Sequence, residues 1–225
     1  LTKAKSIIGK NLSNINNSDL QKINAFWSNN YSLKSQNRMI SSLKGFIFWV
    51  KDEHNINIEN VFDNLETPKI DRMLPSILSE NEIEAIIREA QKKTTENSEL
   101  MNCIIELLYS TGMRISELVS LPFNCFKDKD KIIIVRGKGN KQRVVVLTNS
   151  CKNSILKWKT KRDTLKYAIS SKYLFPGKKK NHMSRQNISH QIRKVVLKAG
   201  INKNNVSPHS FRHSFASHLL NRGAD

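Results

Sequence analysis

Two short β-branched runs, Lys131–Arg136 and Lys141–Leu147, flank the tetrapeptide Gly137-Lys138-Gly139-Asn140. Runs of this length joined by a Gly/Asn turn predict an antiparallel hairpin. Every other periodic segment has helical spacing. The chain is therefore expected to be mainly α with one small antiparallel β-sheet.

Along the rest of the sequence, Ser18 reads as the cap of a helix over 18–30, with Leu20, Ile23, Ala25, Phe26 and Trp27 apolar. A longer helix from Ser35 to about His54 spaces Met39, Ile40, Leu43, Ile47 and Val50 on one face. Phe46, Phe48 and Trp49 are expected to widen that face, and Lys34, Arg38, Lys44 and Lys51 to lie outside it. A short helix is expected over Ile58–Leu65. Residues 67–78 contain Pro68 and Pro75 with no sustained period, and read as a linker between a helical domain over 1–66 and a second domain over 79–225. In the second domain, Ser79 and Glu82 form a capping box before the stripe Ile83, Ile86, Ile87 and Ala90. The apolar helix Glu99–Tyr109 is broken at Thr111-Gly112, and the helix Ser116–Leu121 ends at Pro122. Helices near Lys152–Lys166, Arg185–Ala199 and Pro208–Asn221 complete the pattern.

Charge narrows the choice of partner. The 225 residues include 38 Lys+Arg and 19 Asp+Glu, a formal charge of +19. Residues 1–51 carry 8 basic and 1 acidic side chains, residues 52–126 carry 6 and 14, and residues 127–225 carry 24 and 4. Two basic blocks around an acidic one predict two positive surfaces for a polyanion, with nucleic acid the foremost class. A Lys-rich solvated exterior gives the same count. No basic stretch is paired with a lipid-seeking face, and Phe46–Val50, the longest dense apolar run, is too short to span a bilayer. The opening Leu-Thr-Lys-Ala-Lys has no apolar signal core. Cys103, Cys125 and Cys151 are odd in number and widely spaced, which suits a reducing, cytoplasmic setting and builds no zinc site.

Three segments hold basic side chains where local structure keeps them still. In Thr111-Gly112-Met113-Arg114-Ile115-Ser116-Glu117-Leu118, Arg114 stands at a Gly-broken junction next to a helix N-terminus, a position suited to clamping a phosphate. Pairing with Glu117 is the competing use for it. In the hairpin tip, glycines let Lys138 project toward a groove or a phosphate, although a solvated basic tip has the same composition. In Ser207-Pro208-His209-Ser210-Phe211-Arg212-His213, Ser207 and Pro208 start a helix that puts His209 and Arg212 on one face of its first turn. Phe211, Phe215 and Leu219 would dock that helix, while His213 and His218 suit packing or capping. His209 and His213 have metal-ligand spacing, but no nearby carboxylate completes a site.

In this order, the three segments resemble the tyrosine recombinase (phage integrase) family, and most closely its Xer-type branch. The likeness rests on Leu107–Leu118, on Lys138 within Gly137–Lys141, and on Ser207–Asp225. It covers Leu74–Asp225 well and Asn11–Val50 loosely, as a small helical core-binding domain before a larger mixed α/β catalytic domain. The resemblance implies that a tyrosine attacks a DNA phosphate, giving a 3′-phosphotyrosyl link and a free 5′-hydroxyl, with no metal and no cofactor. Arg114 and Arg212 would stabilise the phosphate, Lys138 would protonate the leaving oxygen, and His209 would assist proton transfer. Lys34, Arg38, Lys44, Lys141, Arg143 and Arg185 are the candidate DNA contacts.

The implied partners are double-stranded DNA, a homo- or hetero-tetramer of recombinases on two DNA sites, and an activating DNA translocase. The implied role is chromosome dimer resolution on the bacterial nucleoid. A phage or mobile-element integrase and a non-catalytic DNA-binding relative share the same boxes. The family pattern continues with a further His or Trp and then the nucleophilic Tyr, and none of Tyr31, Tyr109, Tyr167 and Tyr173 stands in that context. The chain is thus expected to lack its nucleophile segment and the first helix of its clamping domain, and to bind DNA without cutting it.

Overall fold

A computed structural model describes residues 1–11, 15–54, 67–68, 77–94, 97–126, 131–137, 139, 141–177, 181–203 and 206–223. The expected helix Ile58–Leu65 and most of the expected linker lie outside the described residues. The chain divides into two compact units, Leu1–Met73 and Leu74–Asp225.

The first unit contains α1 (Thr2–Ile8), α2 (Asn17–Asn30) and α3 (Leu33–His54). Its core gathers Ala4, Ile15, Leu20, Ile23, Trp27, Ile40, Leu43, Ile47 and Val50, so the helical stripe predicted for α3 is the face that is buried. Three details differ from the sequence expectation. Helix α1 was not foreseen; seven residues with one buried position give too little periodicity to detect. The cap of α2 is Asn16 rather than Ser18. Asn16 Oδ1 accepts from the Asp19 N–H at 3.0 Å while Asp19 Oδ2 accepts from the Asn16 N–H at 3.0 Å, a reciprocal box that Ser18 is too far along to make. Phe48 and Trp49 do not widen the buried face. They are 73% and 51% exposed, because they fall between the buried turns at Ile47 and Val50.

The second unit is built around α5 (Ser98–Thr111), an apolar helix buried along most of its length. It packs against α4 (Glu80–Gln91), α7 (Asn149–Asp163) and α9 (Pro208–Asn221), while α6 (Ile115–Val119) and α8 (Arg185–Lys198) complete the helical shell. Ser79 and Glu82 form the predicted capping box at α4. The hairpin is present as β1 (Ile132–Arg136) and β2 (Gln142–Val146), antiparallel, with Ile133 opposite Val145 and Val135 opposite Arg143. Its two-residue alternation buries Ile133 and Val135 and turns Ile132, Ile134, Val144 and Val146 outward. The stripe on α9 is shorter than expected. Phe211 is fully buried, but Leu219 is exposed near the carboxyl end of the helix.

Polar groups fasten this core at defined points. Ser214 Oγ on α9 accepts from the Leu78 N–H at 2.8 Å, which ties the entry of the unit to its last helix. Arg162 on α7 is buried and donates from Nη2 to the carbonyls of Ser171, at 2.7 Å, and Tyr173, at 3.0 Å. Its guanidinium lies 4.1 Å from the centroid of Phe123. A single guanidinium nitrogen therefore binds both carbonyls over the core while the planar group stacks on Phe123, a stacking that a lysine point charge does not reproduce. Arg162→Leu is expected to lower the unfolding free energy by about 3 kcal/mol, with Arg162→Lys recovering less than half of it, as read by urea titration.

Candidate functional site

The site begins where α5 ends. Gly112 caps α5 in the left-handed region at φ 57°, where a β-carbon is disfavoured. The Phe215 ring from α9 fills the space that such a β-carbon would need. On the same residue, the Gly112 carbonyl accepts from Arg212 Nη1. One glycine thus stops the helix, seats α9 and anchors an arginine of α9 two residues from Arg114.

Arg114 stands immediately before α6, with half of its side chain exposed. Arg212 is partly buried. Burial lowers its pKa first, and the nearby positive charges of Arg114 and Arg143 lower it further against the opposing effect of Glu117. The positive charges of Arg114 and Arg143 are thus near enough to oppose the charge on Arg212, whose side chain is fixed by the Gly112 carbonyl.

Glu117 makes that arrangement affordable. Its buried carboxylate accepts from the Arg114 N–H at 2.8 Å, Arg114 Nη1 at 3.1 Å, Arg143 Nη1 at 2.9 Å and Arg143 Nη2 at 2.7 Å. Burial raises its pKa, but the hydrogen bonds from Arg143 and Arg114 outweigh burial and bring it down to about 2. At the start of α6, Glu117 takes the Arg114 N–H, so one backbone donor there is already paired within the protein. Arg143, a candidate DNA contact, binds this carboxylate while 38% of its side chain stays exposed. Its position opposite Val135 turns it toward the protein body.

The other predicted residues are dispersed. His209 is exposed in the first turn of α9, three residues before Arg212. Lys138 lies outside the described residues. Lys141 and Arg185 are exposed on the second unit; on the first unit Lys34 and Arg38 are exposed and Lys44 is half-buried. His213 is exposed rather than packed, whereas His218 Nδ1 is 3.0 Å from the Tyr109 hydroxyl. Burial raises the thiol pKa of Cys125 to about 11 and of Cys151 to about 12, and pushes Cys103 well up. These thiols stay protonated and supply no nucleophile at neutral pH. Among the described residues, no three His, Cys, Asp or Glu side chains gather as a metal site, and no helix is long and apolar enough to cross a membrane.

Sequence reasoning missed Glu117 as the shared partner of Arg114 and Arg143. Strand alternation carried the signal for Arg143, since 133, 135, 143 and 145 fall on one face of the hairpin.

Residues 76–225 match the phage integrase family. The tyrosine recombinase XerD of Rickettsia bellii (strain RML369-C) is 36% identical over 207 residues, covering 88% of this chain and 68% of that protein. The XerD of Rickettsia prowazekii (strain Madrid E) is 39% identical over 209 residues, covering 88% and 67%. The crystal structure of XerH site-specific recombinase bound to difH substrate, a pre-cleavage complex, superposes with a TM-score of 0.74 over 95% of this chain and 62% of that one. At 20% identity it is a likeness of fold.

The depressed Glu117 carboxyl sets a direction for acid stability. Its folded pKa of about 2 lies below the ordinary 4.5, so its contribution is complete above about pH 5 and is lost as pH falls toward 2. The stability difference between the wild type and Glu117→Gln, measured by urea unfolding, is expected to shrink by about 2–3 kcal/mol between pH 6 and pH 2. A difference independent of pH would show that the carboxylate gains nothing from its arginines.

Proposed function

The chain belongs to the phage integrase family, and from that premise we propose that it works as a site-specific tyrosine recombinase of the Xer type, cutting and rejoining double-stranded DNA. The observation that supports the reading is the turn at Gly112, whose carbonyl accepts from Arg212 two residues before Arg114, so that both arginines are anchored at the same turn. That the two Rickettsia relatives are XerD proteins favours the Xer branch over a phage or mobile-element integrase.

In this reading, a tyrosine oxygen attacks the scissile phosphorus. The bond to the 5′-oxygen breaks as the phosphotyrosyl ester forms on the 3′ side. Arg114 and Arg212 take up the charge on the non-bridging oxygens, Lys138 delivers a proton to the departing 5′-oxygen, and His209 assists proton transfer at the phosphate. Rejoining reverses each step, so bond energy is conserved without a nucleotide cofactor. In this reading the nucleophile is none of Tyr31, Tyr109, Tyr167 and Tyr173, which stand outside the family's tyrosine context. In support, the Tyr109 hydroxyl is engaged with His218, and Tyr31 belongs to the first unit with its hydroxyl 3.1 Å from Lys3 Nζ. The first unit serves as a DNA-clamping domain, with Lys34, Arg38 and Lys44 against the phosphate backbone, and Lys141 and Arg185 add contacts from the second. Four protomers on two DNA sites, activated by a DNA translocase, would resolve chromosome dimers during segregation and cell division.

A nicked suicide DNA substrate incubated with the full-length protein is expected to trap a covalent protein–DNA adduct. Tight binding to its own site with no adduct would instead identify a non-catalytic DNA-binding relative. Arg114→Ala is expected to reduce adduct formation by at least ~100-fold while duplex affinity falls less than tenfold, measured on the same substrate. Equal losses in both would make Arg114 a binding group only.

A further inference from the structure

The hairpin and the Arg114 turn are far apart in sequence, yet they meet at one carboxylate. We propose that Arg143 is a positioning residue of this site, which grips Glu117 so that the hairpin stays seated and Arg114 stays available to the phosphate. The inference rests on the recombinase reading and deepens it, since it gives Arg143 a role other than contact with DNA.

The geometry divides the carboxylate evenly. Arg143 spans both oxygens, Nη1 to Oε1 at 2.9 Å and Nη2 to Oε2 at 2.7 Å, while Arg114 uses one backbone and one side-chain N–H. A carboxylate has about four acceptor positions, so these donors saturate it. Arg114 commits one guanidinium nitrogen and keeps the rest of its fork free on a half-exposed side chain. The grip also locates the base of the hairpin. A β-carbon at Gly137 would lie 3.4 Å from Glu117 Oε1 and 3.6 Å from Arg143 Nη1, so the strand that leads to Lys138 runs directly against this ion pair.

Removing Arg143 leaves a buried carboxylate with two empty acceptor positions. The Arg114 fork is the nearest flexible donor on the same turn, and closing it onto both oxygens would consume the N–H groups that a phosphate needs. It would also release the hairpin. Removing the Glu117 charge at the same time eliminates the competitor and restores the net positive charge of the site. A direct phosphate contact by Arg143 makes the opposite prediction, because no change at Glu117 replaces a lost cation.

The test uses the full-length protein and a nicked suicide duplex under single-turnover conditions. Arg143→Met is expected to slow adduct formation about 100-fold, the scale of a misplacement near 1 Å, with duplex affinity changed less than threefold. Arg143→Lys, which keeps the charge and loses the two-point grip, is expected to be about tenfold slow. The pair Arg143→Met with Glu117→Gln is expected to recover at least ~tenfold over Arg143→Met alone, with the salt slope of duplex binding unchanged. Thermal unfolding of each variant shows whether it is folded. No recovery in the double variant, or a slope smaller by about 0.9, would assign Arg143 to the DNA phosphate and overturn the proposal. If the wild type forms no adduct, the recombinase reading fails, and the salt slope of the double variant still decides what Arg143 holds.

Discussion

Gly112 sets the geometry on which the site depends. Its left-handed backbone ends the central buried helix within one residue, and its missing side chain is the space into which the Phe215 ring packs. Because the same residue presents its carbonyl to Arg212, the core packing of α9 and the placement of that arginine are a single event. A β-carbon at this position would strain the turn by about 1–2 kcal/mol and push the ring away, so the cost would fall on stability and on site geometry together. Local structure, packing and chemistry thus meet at a residue with no functional group of its own.

The second constraint is electrostatic. In a chain of net charge +19, bringing three guanidiniums together opposes folding. Glu117 offsets this from within the protein by accepting four hydrogen bonds and staying ionised well below the usual carboxylate range. The arginines around it differ from the exposed lysines elsewhere. Exposed lysines such as Lys34 and Lys141 produce a long-range field that salt screens, whereas the Glu117 partners are fixed in direction. In the proposed function, the first group would attract a polyanion and the second would set how a single phosphate is met.

How far these features could be read from the sequence depended on how local they are. The hairpin, the capping box at Ser79, the end of α5 and the start of α9 are set by neighbours within a few residues, and each was legible from turn chemistry or period. Contacts across long separations were not. The pairing of Glu117 with Arg143 spans 26 positions and that of Leu78 with Ser214 spans 136, so no window of periodicity contains either. Composition also misled where it stood in for geometry. Phe48 and Trp49 are apolar but lie outside the arc that Ile47 and Val50 bury. Asn16 took the cap from Ser18 because Asp19 could reciprocate only with Asn16.

Preorganisation follows from the same contacts. A phosphate meeting free lysines must order them as it binds, and each rotamer-rich chain costs about 0.5–1.5 kcal/mol. Arg212 is held by the Gly112 carbonyl and Arg114 by Glu117, so their ordering is complete once α5, α6 and α9 have packed. The carboxylate holds Arg114 through a single guanidinium nitrogen at 3.1 Å, the longest of its four contacts, which fixes the direction of the side chain without using up its donors. A stronger hold would neutralise the arginine and a weaker one would leave it mobile. The two-point contact from Arg143 occupies the other two acceptor positions of Glu117, so the proposed positioning role has a direct geometric basis.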